Sequence, residues 1–167
     1  MKAYTNVNLV TCDSDFHVYR EGLLVVEDER IAYCGAYDEA WLEQCSELID
    51  YEGAWLMPGL VNCHTHSAMT LLRGIRDDSN LHEWLEDYIW PAESQFTEDL
   101  TTEAVQLALA EMLLSGTTTF NDMYNPQGVD IDQIYQTVRQ SGMRCYFSPT
   151  LFSSAAETSS KDRKSVV

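Results

Sequence analysis

Two histidines one residue apart, His64 and His66, end a short apolar run that opens after the turn Pro58-Gly59 and passes through Leu60 and Val61. Side chains along a strand alternate between its faces, so His64 and His66 point the same way and Asn62 shares their side. Two imidazoles delivered side by side from one strand end make a ready pair of ligands for zinc or a similar cation. The bland alternative is an ordinary loop, where His-x-His does no chemistry. Cys63 lies on the opposite face. The other histidines, His17 and His82, fall in a β-rich opening stretch and in the segment after His66, and neither sits in a motif that would make it a third ligand. Catalytic zinc normally has three protein ligands and structural zinc four, so two alone make a weak site.

The elements that must position this pair can be read outward from it. Upstream, Ala3 to Val10 alternates loosely, Leu23 to Val26 is β-rich, and the polar turn Glu27 to Arg30 leads into Ile31 to Gly35, which predicts an antiparallel, hairpin-rich start. Asp38 to Ser46 reads as a short surface helix, and Leu48 to Tyr51 returns to the sheet. Pro58 marks the boundary with an α/β part. Downstream, a long connection from Ser67 to about Phe96 holds two short helical pieces, and connections of that length are commonly functional. Its apolar residues Leu81, Trp84, Leu85, Tyr88, Ile89 and Trp90 recur at helical spacing and mostly hold the loop down.

Thr97 then caps a helix with Glu98 and Asp99 in its first turn, an apolar face of Leu100, Ala104, Leu107, Ala108, Met112 and Leu113, and Gly116 as its stop. Thr117 to Asp122 is a β-branched strand, Asp130 to Ser141 a helix with Ile131, Ile134, Tyr135 and Val138 inward, and Arg144 to Ser148 a third strand. Strands alternating with helices of this length predict parallel βαβ units. Asp122 and Asn121, at the carboxyl end of the second strand, are expected to bond neighbouring loop backbone rather than a ligand.

Composition limits the partners. Ten basic against 27 acidic residues give a formal charge of -17, which argues against nucleic acid and anionic membranes as partners. The five cysteines form no Cys-x-x-Cys pair, no signal peptide opens the chain and no apolar run is long enough to span a membrane. Reduced thiols in a soluble cytoplasmic protein are the expectation.

The stretch Pro58 to His66, with Ala68-Met69-Thr70-Leu71-Leu72-Arg73-Gly74 after it, resembles the first barrel strand and following loop of the metal-dependent amidohydrolase superfamily. Leu81-His82-Glu83-Trp84-Leu85 and Ile89-Trp90-Pro91-Ala92-Glu93 are similar, more narrowly, to the methylthioadenosine/S-adenosylhomocysteine deaminases and their chlorohydrolase-like relatives. Triazine chlorohydrolases and guanine deaminases share the His-x-His start, and the loop from Trp84 to Glu93 is what separates them. The resemblance implies a TIM-type (β/α)8 barrel preceded by part of a small β-sandwich. It also implies a divalent metal, zinc, on His64 and His66, and hydrolytic release of ammonia from the adenine ring of a nucleoside. Glu93 corresponds to the glutamate that contacts the ribose in those deaminases, and Trp84 would wall the substrate pocket. Some family members have a substrate-contacting arginine where this chain has Ser148-Pro149-Thr150, which weakens the case for that particular nucleoside specificity.

A complete barrel takes about 250 residues, more than the 167 present. The expected organisation is a β-rich module over 1–57, the first βα units of the barrel over 58–151 and an irregular tail over 152–167, whose change of character suggests a frameshift or premature stop. In the resembled family the third histidine, the catalytic glutamate and the last aspartate come from later strands. No catalytic residue is therefore expected within this chain, and an incomplete barrel exposes strand edges that favour pairing with a second copy. Three readings stand: a deaminase present as its amino-terminal portion, a catalytically silent fragment of one, or a small metal-binding or interaction module that borrows further ligands.

Overall fold

Apolar alternation builds the opening sheet. In the computed structural model, which describes residues 1–124 and 130–149, strands β1 (Lys2–Val10), β2 (Val18–Glu27) and β3 (Arg30–Ala36) pair antiparallel in sequence order. The odd-numbered Ala3, Val7, Leu9, Leu23 and Val25 are buried, as a half-buried pleated sheet requires. Tyr33 and Trp41 stack over this core with ring centroids 5.2 Å apart.

The sheet is not wholly antiparallel. Strands β4 (Glu47–Asp50) and β5 (Trp55–Leu56) both lie parallel to β1, giving the order β3-β2-β1-β4 with β5 also on β1. Parallel pairing needs a crossover, and the segment between β3 and β4 supplies it. That segment is a 3₁₀ turn over Glu39–Gln44, where a helix was expected, with the Asp38 carboxylate accepting the Ala40 N–H at 3.0 Å. These strands belong to a compact unit, Met1–Pro58; the second unit begins at Gly59.

Among the described residues the second unit holds a three-stranded parallel sheet in the order β6-β7-β8, formed by β6 (Leu60–Thr65), β7 (Thr117–Tyr124) and β8 (Arg144–Pro149). The connection from β6 to β7 begins with a 3₁₀ segment over Ser67–Leu72. It continues through α1 (Leu81–Glu83), a π-helical stretch over Trp84–Ile89 and α2 (Trp90–Glu93), then α3 (Glu98–Leu114). The widened turns fall immediately before Pro91, which has no N–H to give and crowds the carbonyl four residues back. Accordingly Trp90 N–H reaches five residues back, to Leu85 O. Arg73 fastens the loop to α3 through two bonds to the Glu111 carboxylate, 3.1 and 2.6 Å.

Thr97 caps α3 by accepting the Leu100 N–H at 3.2 Å, and Gly116 follows it with φ +84°, a left-handed value suited to glycine. The buried face of α3 is Thr101, Ala104, Val105, Ala108 and Leu109, whereas Leu107 and Leu113 are 42% and 45% exposed. Ala104 and Ala108 are buried as expected and Met112 packs against the core, but Val105 and Leu109 take the places expected of Leu107 and Leu113, because α3 is apolar on most of its circumference and spacing alone does not choose a side. Helix α4 (Ile131–Gln140) buries Ile134 and Val138 as expected and leaves Ile131 exposed. These residues pack with Phe120 and Met143 into the core between helices and sheet. The tail over 152–167 lies outside the described residues. Among those described, no helix is long and apolar enough to cross a membrane.

Candidate metal centre

The His-x-His pair emerges from an irregular strand end. Asn62 is opposite Phe120 on β7 but Thr65 is opposite Asp122, so β6 carries one extra residue between them, a β-bulge of the kind that re-aims side chains. Within it the His64 N–H donates to Asn62 Oδ1 at 3.2 Å. His66 lies just past the strand, heading the 3₁₀ segment with φ -128° and ψ 79°. Simple alternation therefore does not describe the two positions, yet their rings meet, with centroids 5.1 Å apart and planes at 85°.

Which nitrogen of His66 is free follows from its neighbour. His66 Nδ1 lies 2.9 Å from the Met123 carbonyl oxygen on β7. A carbonyl only accepts, so Nδ1 carries the proton, and in the neutral ring Nε2 keeps its lone pair. A histidine anchored this way through one nitrogen is oriented to ligate through the other. Both rings are exposed.

Asp122, opposite Thr65 on β7, is 0% exposed. Its carboxylate accepts the Ser67 N–H at 3.1 Å and the Ser67 hydroxyl, the loop-backbone role expected of it. Burial pushes its pKa up, opposed by the two bonds from Ser67 and by the nearby His66. Asn121 donates to the Cys63 carbonyl at 3.3 Å and accepts the Ser148 hydroxyl at 3.0 Å, so it crosslinks the carboxyl ends of all three strands.

Beside His66 opens a cleft of about 420 Å³ whose walls include Met69, Arg73, Arg76, Asp77 and Trp84. Trp84 is half-buried there. Glu93 is also half-buried; desolvation raises its carboxyl pKa, and the charge of His66 opposes that rise, so Glu93 stands within electrostatic reach of the histidine. His17 is bonded to Asp13 at 2.8 Å and His82 to Glu86 at 3.3 Å, surface pairs remote in chain position from the site. Among the described residues no three His, Cys, Asp or Glu side chains gather as a metal site. Imidazole nitrogens suit zinc, and two of them fall short of the three protein ligands of a catalytic zinc. Sequence reading missed Ser67 and the Met123 carbonyl; Ser67 at least adjoins His66, whereas a main-chain acceptor has no side-chain signature.

The fold is a parallel α/β sheet with a histidine pair at the end of its first strand, and the chain belongs to the amidohydrolase family, whose model matches residues 55–167. It is 50% identical over 151 residues to the 5-methylthioadenosine/S-adenosylhomocysteine deaminase of Bacillus cytotoxicus, a match covering 90% of this chain and 35% of that protein. The enzyme of the same name from Bacillus cereus strain AH820 is 47% identical over 95% of this chain and 36% of its own length. The chain thus spans about a third of the curated relatives it matches. Among solved structures, an adenosine deaminase from Xanthomonas campestris with bound zinc superposes with a TM-score of 0.71 at 30% identity, over 87% of this chain and 33% of that one. The fold is also that of the atrazine chlorohydrolase of Arthrobacter aurescens TC1 complexed with zinc, at a TM-score of 0.75, 22% identity and coverage of 89% and 35%.

Proposed function

We propose that this chain is the amino-terminal portion of a zinc-dependent hydrolase that releases ammonia from the adenine ring of S-adenosylhomocysteine- or methylthioadenosine-like nucleosides. The observation that carries the reading is the fixed orientation of His66, with Nδ1 committed to the Met123 carbonyl and its ring centroid 5.1 Å from that of His64. Identity of about half to deaminases of those substrates supports the chemistry. In this reading His64 and His66 hold the cation, and the whole protein supplies the remaining ligands and the proton-transferring groups. Zinc would supply Lewis-acid activation of water at neutral pH. Glu93 accepts hydrogen bonds from the vicinal ribose hydroxyls, for which a carboxylate has two oxygens, and Trp84 provides an apolar wall. Strands β6, β7 and β8 are the first three of a (β/α)8 barrel, and the Met1–Pro58 sheet is part of a flanking β-sandwich. The domains proposed with it are a β-rich module over 1–57 and the first βα units of the barrel over 58–151.

By itself the 167-residue chain is expected to bind zinc weakly and to turn nothing over, because two ligands fall short of the three a catalytic zinc needs. Ammonia release from S-adenosylhomocysteine, measured together with intact mass on protein isolated from its native source, tests both parts. The expected result is no release from a 19.0 kDa species and release from one more than twice that mass. Turnover by the 19.0 kDa chain would overturn the incompleteness; an inert longer species would overturn the deaminase assignment.

A further inference from the structure

We infer that Asp122 and Ser67 are positioning residues that set the orientation of His66, an inference that rests on reading His66 as a metal ligand. The dipeptide His66-Ser67 sends three hydrogen bonds into the dipeptide Asp122-Met123: His66 Nδ1–H to the Met123 carbonyl, Ser67 N–H to Asp122 Oδ1 and the Ser67 hydroxyl to Asp122 Oδ2. Asp122 and Ser67 are 0% and 1% exposed, so neither bond competes with water. A carboxylate accepts two bonds in one plane without moving, and here both come from one residue. The backbone of Ser67 is therefore fixed in place and in rotation immediately after His66.

That constraint matters because His66 is outside the regular strand. The β6–β7 ladder resumes after the bulge at Thr65, opposite Asp122, and ends there, and the 3₁₀ segment begins at Ser67. Without the Ser67–Asp122 bonds nothing in the ladder would hold the His66 main chain at the distance from which Nδ1 reaches Met123. The carboxylate thus acts on the imidazole through two intermediaries, the Ser67 backbone and the Met123 carbonyl beside it, and touches neither substrate nor metal. A buried carboxylate is costly unless hydrogen-bonded, and among the described residues the bonds to the Asp122 carboxylate come from Ser67.

The test reads the protonation of the His66 ring directly, in the metal-free chain, from ring-nitrogen chemical shifts of 15N-histidine protein. The native chain is expected to show His66 as a single tautomer, protonated at Nδ1. In Asp122→Ala that tautomer should give way to a mixture, Ser67→Ala should shift it in the same direction by less, and Asp122→Asn, which keeps an oxygen for the Ser67 N–H, should restore most of it. The His64 ring, which neither residue holds, is the internal control, and the amide spectrum of β8 reports that the sheet is intact. Cobalt titration of the same proteins should weaken by about 10-fold in Asp122→Ala, the lower end for loss of an outer-shell partner. An unchanged His66 tautomer in folded Ser67→Ala and Asp122→Ala would overturn the inference, and if Asp122→Ala does not fold, Ser67→Ala decides alone. A His66→Ala chain that binds cobalt as well as the native one would instead sink the ligand reading, which the tautomer result does not depend on.

Discussion

One main-chain oxygen, that of Met123, decides which face His66 presents, and the surrounding side chains show the same dependence on local solvent. Glu93 is the clearest case. Desolvation raises its carboxyl pKa above the ordinary 4.5, so the folded chain holds that proton more tightly than the unfolded chain. Its contribution to stability is then fullest below 4.5 and is lost as pH rises through the raised value. Glu93→Gln should accordingly raise the urea midpoint at about pH 7 and bring little change at about pH 4; a difference independent of pH would count against a strained carboxylate. Cys145 gives a second check. Burial, reinforced by the Asp122 charge, pushes its thiol up to about 12, and only thiolate alkylates. Iodoacetamide at about pH 8 should label the exposed Cys63 well before Cys145, and equal rates would show that β8 opens readily.

At the scale of elements, the approach of β6 to β7 depends on Gly59. A Cβ built there would fall inside van der Waals contact with the Oγ1, Cγ2 and Cβ atoms of Thr118, so Gly59→Ala should cost about 1–3 kcal/mol in urea denaturation, as overpacking generally does. Thr118→Ala removes two of those three atoms and should recover part of the loss in the double variant; additive effects would mean that the strands do not meet there. Such a contact was not legible in the chain, where Pro58-Gly59 reads only as a turn. What was legible is local: the cap at Thr97, the stop at Gly116, the alternation of β1 and β2, and the i, i+2 spacing of His64 and His66. What was not depends on partners distant in sequence. The parallel direction of β4 and β5 is a choice made by the crossover, the inward face of α3 is chosen by Phe120 and its neighbours, and the bulge after Asn62 exists only relative to β7. Trp84 and Glu93 were singled out through family resemblance alone, since their composition and spacing suit a tethered loop.

For the molecule as a whole, charge and exposed apolar surface act in opposite directions. A formal charge of -17 keeps copies apart at low ionic strength, where the screening length is about 30 Å at 0.01 M salt. Against it stand Leu60 and Val61 on the outer strand β6, Leu114 at 90% exposure, and Phe16, Ile31 and Trp55 in the Met1–Pro58 unit. Strand β6 has β7 on one side and, among the described residues, no strand on the other, and an unpaired edge is a template for another chain. Hydrophobic contact does not weaken with salt, whereas repulsion between copies shrinks to a range of about 3 Å at 1 M. Raising sodium chloride at fixed protein concentration should therefore convert a 19.0 kDa species into larger ones, followed by light scattering on a sizing column. Val61→Lys, which puts a like charge on the β6 edge without adding to the core, should move that transition to higher salt. A chain that stays at 19.0 kDa throughout, with or without the lysine, would mean that neither the β6 edge nor the apolar surface seats a second copy.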